Sequence, residues 1–290
     1  MRLDPVIRSH PIRQDPVSMV SWRSQVVFTK ILCPLDLSDF SRRALEHGLV
    51  LARWYGAEVV ALHVFATWLP PGNASTYPSW MRLVPEVREQ IDRELHEQLQ
   101  PASTAGLEVP LVTREGDPVS EILAEARKSK ADLIAISTHG RSGFDRFTIG
   151  SVTEKVLRKA ECPVLVVPVR APDGTVAGGP EEFGGYQRII CAIDFSDTSK
   201  EALRFALSVA HRGKSSVTLA HVVEVADNPD VTIAGASPLA TLRKERVETA
   251  REALLKLVTP SQDPEVSTDV VVKIGSAHRE LLAVAKETGS

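Results

Sequence analysis

Cysteine is scarce in this chain. Only Cys33, Cys162 and Cys191 occur in 290 residues. An odd number, widely spaced and with no Cys-x-x-Cys pair, argues against a disulfide framework and against a zinc site, and fits a reducing cytoplasm. Long hydrophobic runs are missing too: nothing approaches the roughly 20 apolar residues that a membrane-spanning helix needs. No apolar core follows the N-terminal charges as it would in an export signal. Charge of one sign is also lacking. With Lys+Arg 34 against Asp+Glu 37 the formal charge is -3, and the basic residues are scattered, so no nucleic acid and no membrane is expected as a partner. Three common enzyme signatures are absent as well. There is no Gly-x4-Gly-Lys-Ser/Thr loop, no Gly-x-Gly-x-x-Gly after the first strand, and no Gly-x-Ser-x-Gly elbow.

What remains is ordinary globular material, 43% hydrophobic and 24% charged, enough for two domains of typical size. Residues 1–28 are rich in Pro, Arg and Ser without periodicity and read as a flexible N-terminal extension. A strand is expected from Thr29 to Leu35, ending at Asp36, and then a helix capped by Ser38 or Asp39. Val59 to Phe65 is an apolar run of the kind buried on both sides in parallel sheets. Ala66 to Ser79 reads as a loop. Leu83, Val87, Ile91, Leu95 and Leu99 mark an amphipathic helix expected to end before Pro101. A third strand is expected over Val109 to Thr113, then a helix capped by Asp117 with Pro118 at its first position. Asp132 to Ile136 and Pro163 to Val167 complete five strands, with a helix from Ser151 to Ala160 between them. Strands alternating with helices predict a doubly wound α/β domain with a parallel sheet over residues 29–168.

A Gly-rich linker over 169–187 follows, and then the pattern restarts. KILCPLDLSDFSRRAL at Lys30 to Leu45 aligns without gaps on RIICAIDFSDTSKEAL at Arg188 to Leu203, and His63 falls on His221. This is a tandem repeat. Its second copy, residues 188–290, includes counterparts of three strands and of the helix after the third, but none of Asp132 to Pro168.

The chemistry concentrates between the fourth strand and the next helix. Ile134 to Val156 reads IAISTHGRSGFDRFTIGSVTEKV. Glycines let backbone N–H groups approach an anion, and a helix N-terminus offers unpaired donors. Gly140, nine intervening residues and Gly150-Ser151 resemble the nucleotide signature of the ATP-binding universal stress proteins, Gly-x2-Gly-x9-Gly-Ser/Thr, with Ser137 in place of the first glycine.

That resemblance implies an adenine nucleotide alpha hydrolase-like sheet of order 3-2-1-4-5. It also implies ATP as the ligand, with Mg²⁺ carried on the phosphates. Pro34 and Asp36 should lie on the adenosine side and Val64 beside the adenine, while Ser137, His139, Gly140, Arg141, Gly150, Ser151 and Val152 surround ribose and phosphates. His63 and His221 are read as structural. The function it implies is a cytoplasmic stress-response regulator, with a slow ATPase or a nucleotide-free interaction module as the alternatives. No catalytic residue and no protein metal ligand is expected. With no fifth strand in the second copy, the strand Pro163 to Val167 is expected to pair with its equivalent in another molecule, giving a homodimer.

Overall fold

The centre of the sheet is built from strands in which apolar side chains predominate. In the computed structural model, which describes residues 28–65, 84–104, 106–138, 149–168, 186–224, 238–258 and 266–290, strand β1 (Lys30–Leu35) is buried from Ile31 onward. Strands β2 (Glu58–Phe65), β3 (Leu111–Glu115), β4 (Leu133–Ser137) and β5 (Val164–Val167) pair with it in the order β3-β2-β1-β4-β5, all parallel. This is the predicted doubly wound order. Ile31, Leu32, Leu62 and Ile134 have no exposed surface, as central parallel strands require when helices cover both faces.

The helices begin and end where local chemistry allows. Helix α1 (Asp39–Tyr55) is capped by Ser38, whose side chain accepts from the Ser41 N–H, and Gly56 ends it in the left-handed region at φ 68°. Helix α4 (Pro118–Ser129) has Asp117 as its cap and proline at its start. Helix α5 (Ser151–Lys159) follows Gly150, with no side-chain cap.

Two expectations shift. The amphipathic helix α2 (Val84–Gln98) does end before Pro101, but a short helix, α3 (Gln100–Thr104), starts at once and carries the proline in its first turn. A first turn needs no N–H from that position, so proline is tolerated there. Strand β3 begins two residues later than the expected Val109. Pro110 has no N–H for a ladder, and its carbonyl instead accepts from Ala61 at 3.0 Å.

The described residues fall in two compact units, 28–168 and 186–290. In the second, strands β6 (Arg188–Ala192), β7 (Ser216–Val223) and β8 (Thr268–Ile274) form a parallel sheet in the order β6-β7-β8. Helices α6 (Asp197–Gly213), α7 (Pro238–Val258) and α8 (Ala277–Thr288) accompany it. Register confirms the repeat: His63 lies opposite Thr113 in the first sheet, and His221 opposite Val272 in the second. Leu219, Leu254 and Val217 centre the second core. Residues 1–27, expected to be a flexible extension, the loop expected from Ala66 to Ser79 and most of the expected linker lie outside the described residues.

Candidate functional site

Strand order creates the site. Going from β1, the chain fills one side of the sheet with β2 and β3 and the other with β4 and β5, so the loops leaving β1 and β4 diverge and leave a crevice at their carboxyl ends. A cavity of ≈ 390 Å³ lies there. Its apolar part is made by Pro34, Leu35, Leu62, Val64, Pro118, Ile122 and Ile136, its polar part by Asp36, Ser41, Ser137, Ser151 and Thr153, with Gly150 and Val152 beside them. Thus seven of the ten residues singled out from the sequence (Pro34, Asp36, Val64, Ser137, Gly150, Ser151 and Val152) line one cavity. The other three, His139, Gly140 and Arg141, lie outside the described residues.

Asp36 is set by a tight turn. Leu37 takes φ 69°, a left-handed conformation unfavourable for any residue with a Cβ. The turn brings Ser38 back onto the carboxylate: its N–H donates to Asp36 Oδ1 at 3.2 Å and its hydroxyl to the same oxygen at 2.5 Å. Ser41 closes the loop from the other side, accepting from the Asp36 N–H at 3.2 Å and donating to the Ser38 carbonyl at 3.0 Å.

The opposite wall is tied to β4. Thr153, in the first turn of α5, donates its hydroxyl to the Ser137 carbonyl at 2.7 Å. The Gly150 N–H donates to the Thr138 carbonyl at 2.7 Å, and the Thr138 N–H to Val167. Strand β4 and the start of α5 therefore hold each other directly, and the uncapped first turn of the helix opens at the cavity. His63, on β2 at the other side of β1, is not among the cavity-lining residues. Its Nδ1 donates to the Leu35 carbonyl at 2.8 Å, since a carbonyl only accepts, and its ring meets Phe65 edge-on at 4.8 Å. His221 makes the matching bond to Ile193 at 2.7 Å. Both histidines tie neighbouring strands together.

Not singled out from the sequence were Ser41, Thr153, Leu62 on β2 and the apolar lining from α4. A signal for Ser41 existed, because Asp36, Ser38 and Ser41 recur at the same spacing as Asp194, Ser196 and Ser199. Nothing marked Thr153 or Ile122, whose roles depend on how α4 and α5 pack.

A sequence profile of the Universal stress protein family matches residues 28–168 and again 185–290. The chain belongs to the universal stress protein family. Among its relatives, a universal stress protein of Methanocaldococcus jannaschii is 36% identical over 141 residues, 49% of this chain and 82% of the relative. One of Bacillus subtilis is 30% identical over 147 residues, again 49% of this chain and 99% of the relative. A solved universal stress protein from Archaeoglobus fulgidus superposes with a TM-score of 0.61 at 23% identity, covering 90% of this chain and 84% of the other. At that identity the likeness concerns the fold. In this universal stress protein no helix among the described residues is long and apolar enough to cross a membrane.

Proposed function

We propose that the first unit of this universal stress protein binds ATP, and that the chain acts as a cytoplasmic stress-response regulator whose signal is nucleotide occupancy. One observation carries the reading. The cavity between the ends of β1 and β4 combines an apolar lining, the Asp36 carboxylate among its polar groups, and the glycine-started, uncapped N-terminus of α5. Apolar walls with a few convergent polar groups are the usual composition of a small-ligand site, and a helix N-terminus favours phosphate.

In this reading Pro34, Asp36 and Val64 take the adenosine, while Ser137, His139, Gly140, Arg141, Gly150, Ser151 and Val152 take the ribose and phosphates. Mg²⁺ would be held by phosphate oxygens, the hard ligands it prefers. Strand β5, at one edge of the five-stranded sheet, is the proposed homodimer contact, pairing with β5 of a second molecule.

The test is a thermal-shift and calorimetric titration with Mg-ATP. Ligand at a hundred times its dissociation constant stabilises a folded protein by about 2.7 kcal/mol. A saturable shift is expected, at one nucleotide per chain. No shift at millimolar Mg-ATP overturns the reading, and a monomer by sedimentation at tens of micromolar overturns the dimer.

A further inference from the structure

We propose that Ser38 is a positioning residue for nucleotide binding, holding the Asp36 carboxylate in one orientation at the cavity before the ligand arrives. The inference rests on the nucleotide-binding reading of the first unit and assigns a role to a residue that does not line the cavity.

The hydroxyl of Ser38 has two partners, and their chemistry sets its polarity. It accepts from the Ser41 N–H at 3.1 Å, so its proton goes to Asp36 Oδ1 at 2.5 Å. The Ser38 N–H converges on that oxygen as well. One residue therefore supplies two donors to one carboxylate oxygen, which fixes a side chain that would otherwise rotate about two bonds. A carboxylate oriented before binding has less conformational entropy to lose when a ligand meets it, and charge-assisted bonds of this kind are the strong ones.

The backbone holds the arrangement in place. Leu37 adopts φ 69° although a glycine would do so without strain, and Phe195 repeats the conformation at φ 66°. Left-handed backbone in bulky residues persists where surrounding bonds over-determine it. In the second unit the Ser196 N–H donates to Asp194 Oδ1 at 2.9 Å and Ser199 bonds to Ser196 as Ser41 does to Ser38. Bonds from Ser196 and Ser199 hold the Asp194 carboxyl down to about 2. The Asp-x-Ser-x-x-Ser turn thus forms from local sequence alone, and in the first unit it faces a cavity.

The experiment measures Mg-ATP affinity of the full chain by calorimetry for the native protein, Ser38→Gly, Ser38→Thr, Ser196→Gly, Asp36→Asn and the double variant Asp36→Asn/Ser38→Gly. Glycine is nearly as good a helix cap as serine, so Ser38→Gly removes the hydroxyl and keeps α1. The expected result is about tenfold weaker binding for Ser38→Gly, recovery of affinity in Ser38→Thr, and no change in Ser196→Gly. In the Asp36→Asn background, removing the Ser38 hydroxyl adds nothing, because residues acting through one group are not additive. Equal affinity of Ser38→Gly and the native protein overturns the inference. So does a tenfold loss that persists undiminished beside Asp36→Asn. In both cases native binding still supports the nucleotide reading, whereas a native protein that binds no Mg-ATP overturns both.

Discussion

The two units start from related sequences of the same pattern and bury them very differently. Helices α1 and α6 each have 17 residues, aligned position by position. Helix α1 buries nine of them and α6 only Leu203 and Ala210. In the first unit α1 lies across β1, β4 and β5, whereas α6 contacts β6 and β7. The pattern of apolar residues decides which face a helix turns inward, but neighbouring strands decide how much of that face leaves water. The same holds for the carboxylates. Asp36 and Asp194 sit in matching turns, yet Asp36 has β4 and α5 across a cavity, while Asp194 is exposed and held by its turn serines.

Acid should separate the units most. Burial, aided by nearby Arg43, pushes His47 down to about 4 from its ordinary 6.5, and the second unit has Phe205 at the corresponding position. A lowered histidine takes up more protons when unfolded, so stability falls as pH drops from about 6.5 through 4. The loss in the first unit approaches roughly 3 kcal/mol at the low end. Hydrogen exchange at pH 7 and pH 5 should show β1 and β4 losing protection while β6 and β7 hold theirs, and His47→Phe should remove the difference.

Next comes the pair of turn carboxylates. Asp36→Ala should weaken Mg-ATP binding about 30-fold, the size expected for hydrogen bonds to a charged group. Asp194→Ala should leave the dissociation constant unchanged. An equal effect of the two substitutions would mean that the second unit holds a nucleotide of its own.

A third contrast concerns packing. A methyl group added at Gly48 would come within 2.8 Å of Cys33 Sγ, which is buried, its thiol pushed up to about 12 by that burial. The second unit has Ala206 there. Gly48→Ala should therefore destabilise the first unit by about 1 to 2 kcal/mol despite the better helix propensity of alanine. Ala206→Gly should cost the second unit about 0.5 to 1 kcal/mol through propensity alone. Denaturant unfolding followed by exchange on each unit distinguishes the two mechanisms.

The smallest difference lies at the helix after the third strand. Asp117 accepts from Ser120 through both its N–H and its hydroxyl, whereas Ser276, the matching cap, makes no such bond. Asp117→Ala should lower the melting temperature measurably, and Ser276→Ala should not.

Much of this was legible in the chain. Continuous apolar runs at β1, β2 and β4, a cap at Ser38 or Asp39 and another at Asp117, and the recurrence of one pattern after residue 187 were enough for a parallel sheet and for a tandem repeat, while the strand order came from the resemblance carried by the glycine loop. The candidate site was legible in part. Residues adjoining a strand end or a glycine turn could be named, because such positions carry local signals. Ser41, Thr153 and Ile122 carried none, and Pro110 moved the start of β3 through a missing N–H that periodicity does not register.

By itself the sequence determined the elements, their alternation and the Asp-x-Ser-x-x-Ser turn, since hydrophobic period, capping and turn chemistry act over a few residues. The tertiary structure decided what stands opposite the Asp36 turn. Asp36 and Asp194 are locally alike, and only the pairing of β1 with β4, about a hundred residues apart in the chain, brings a second wall to one of them.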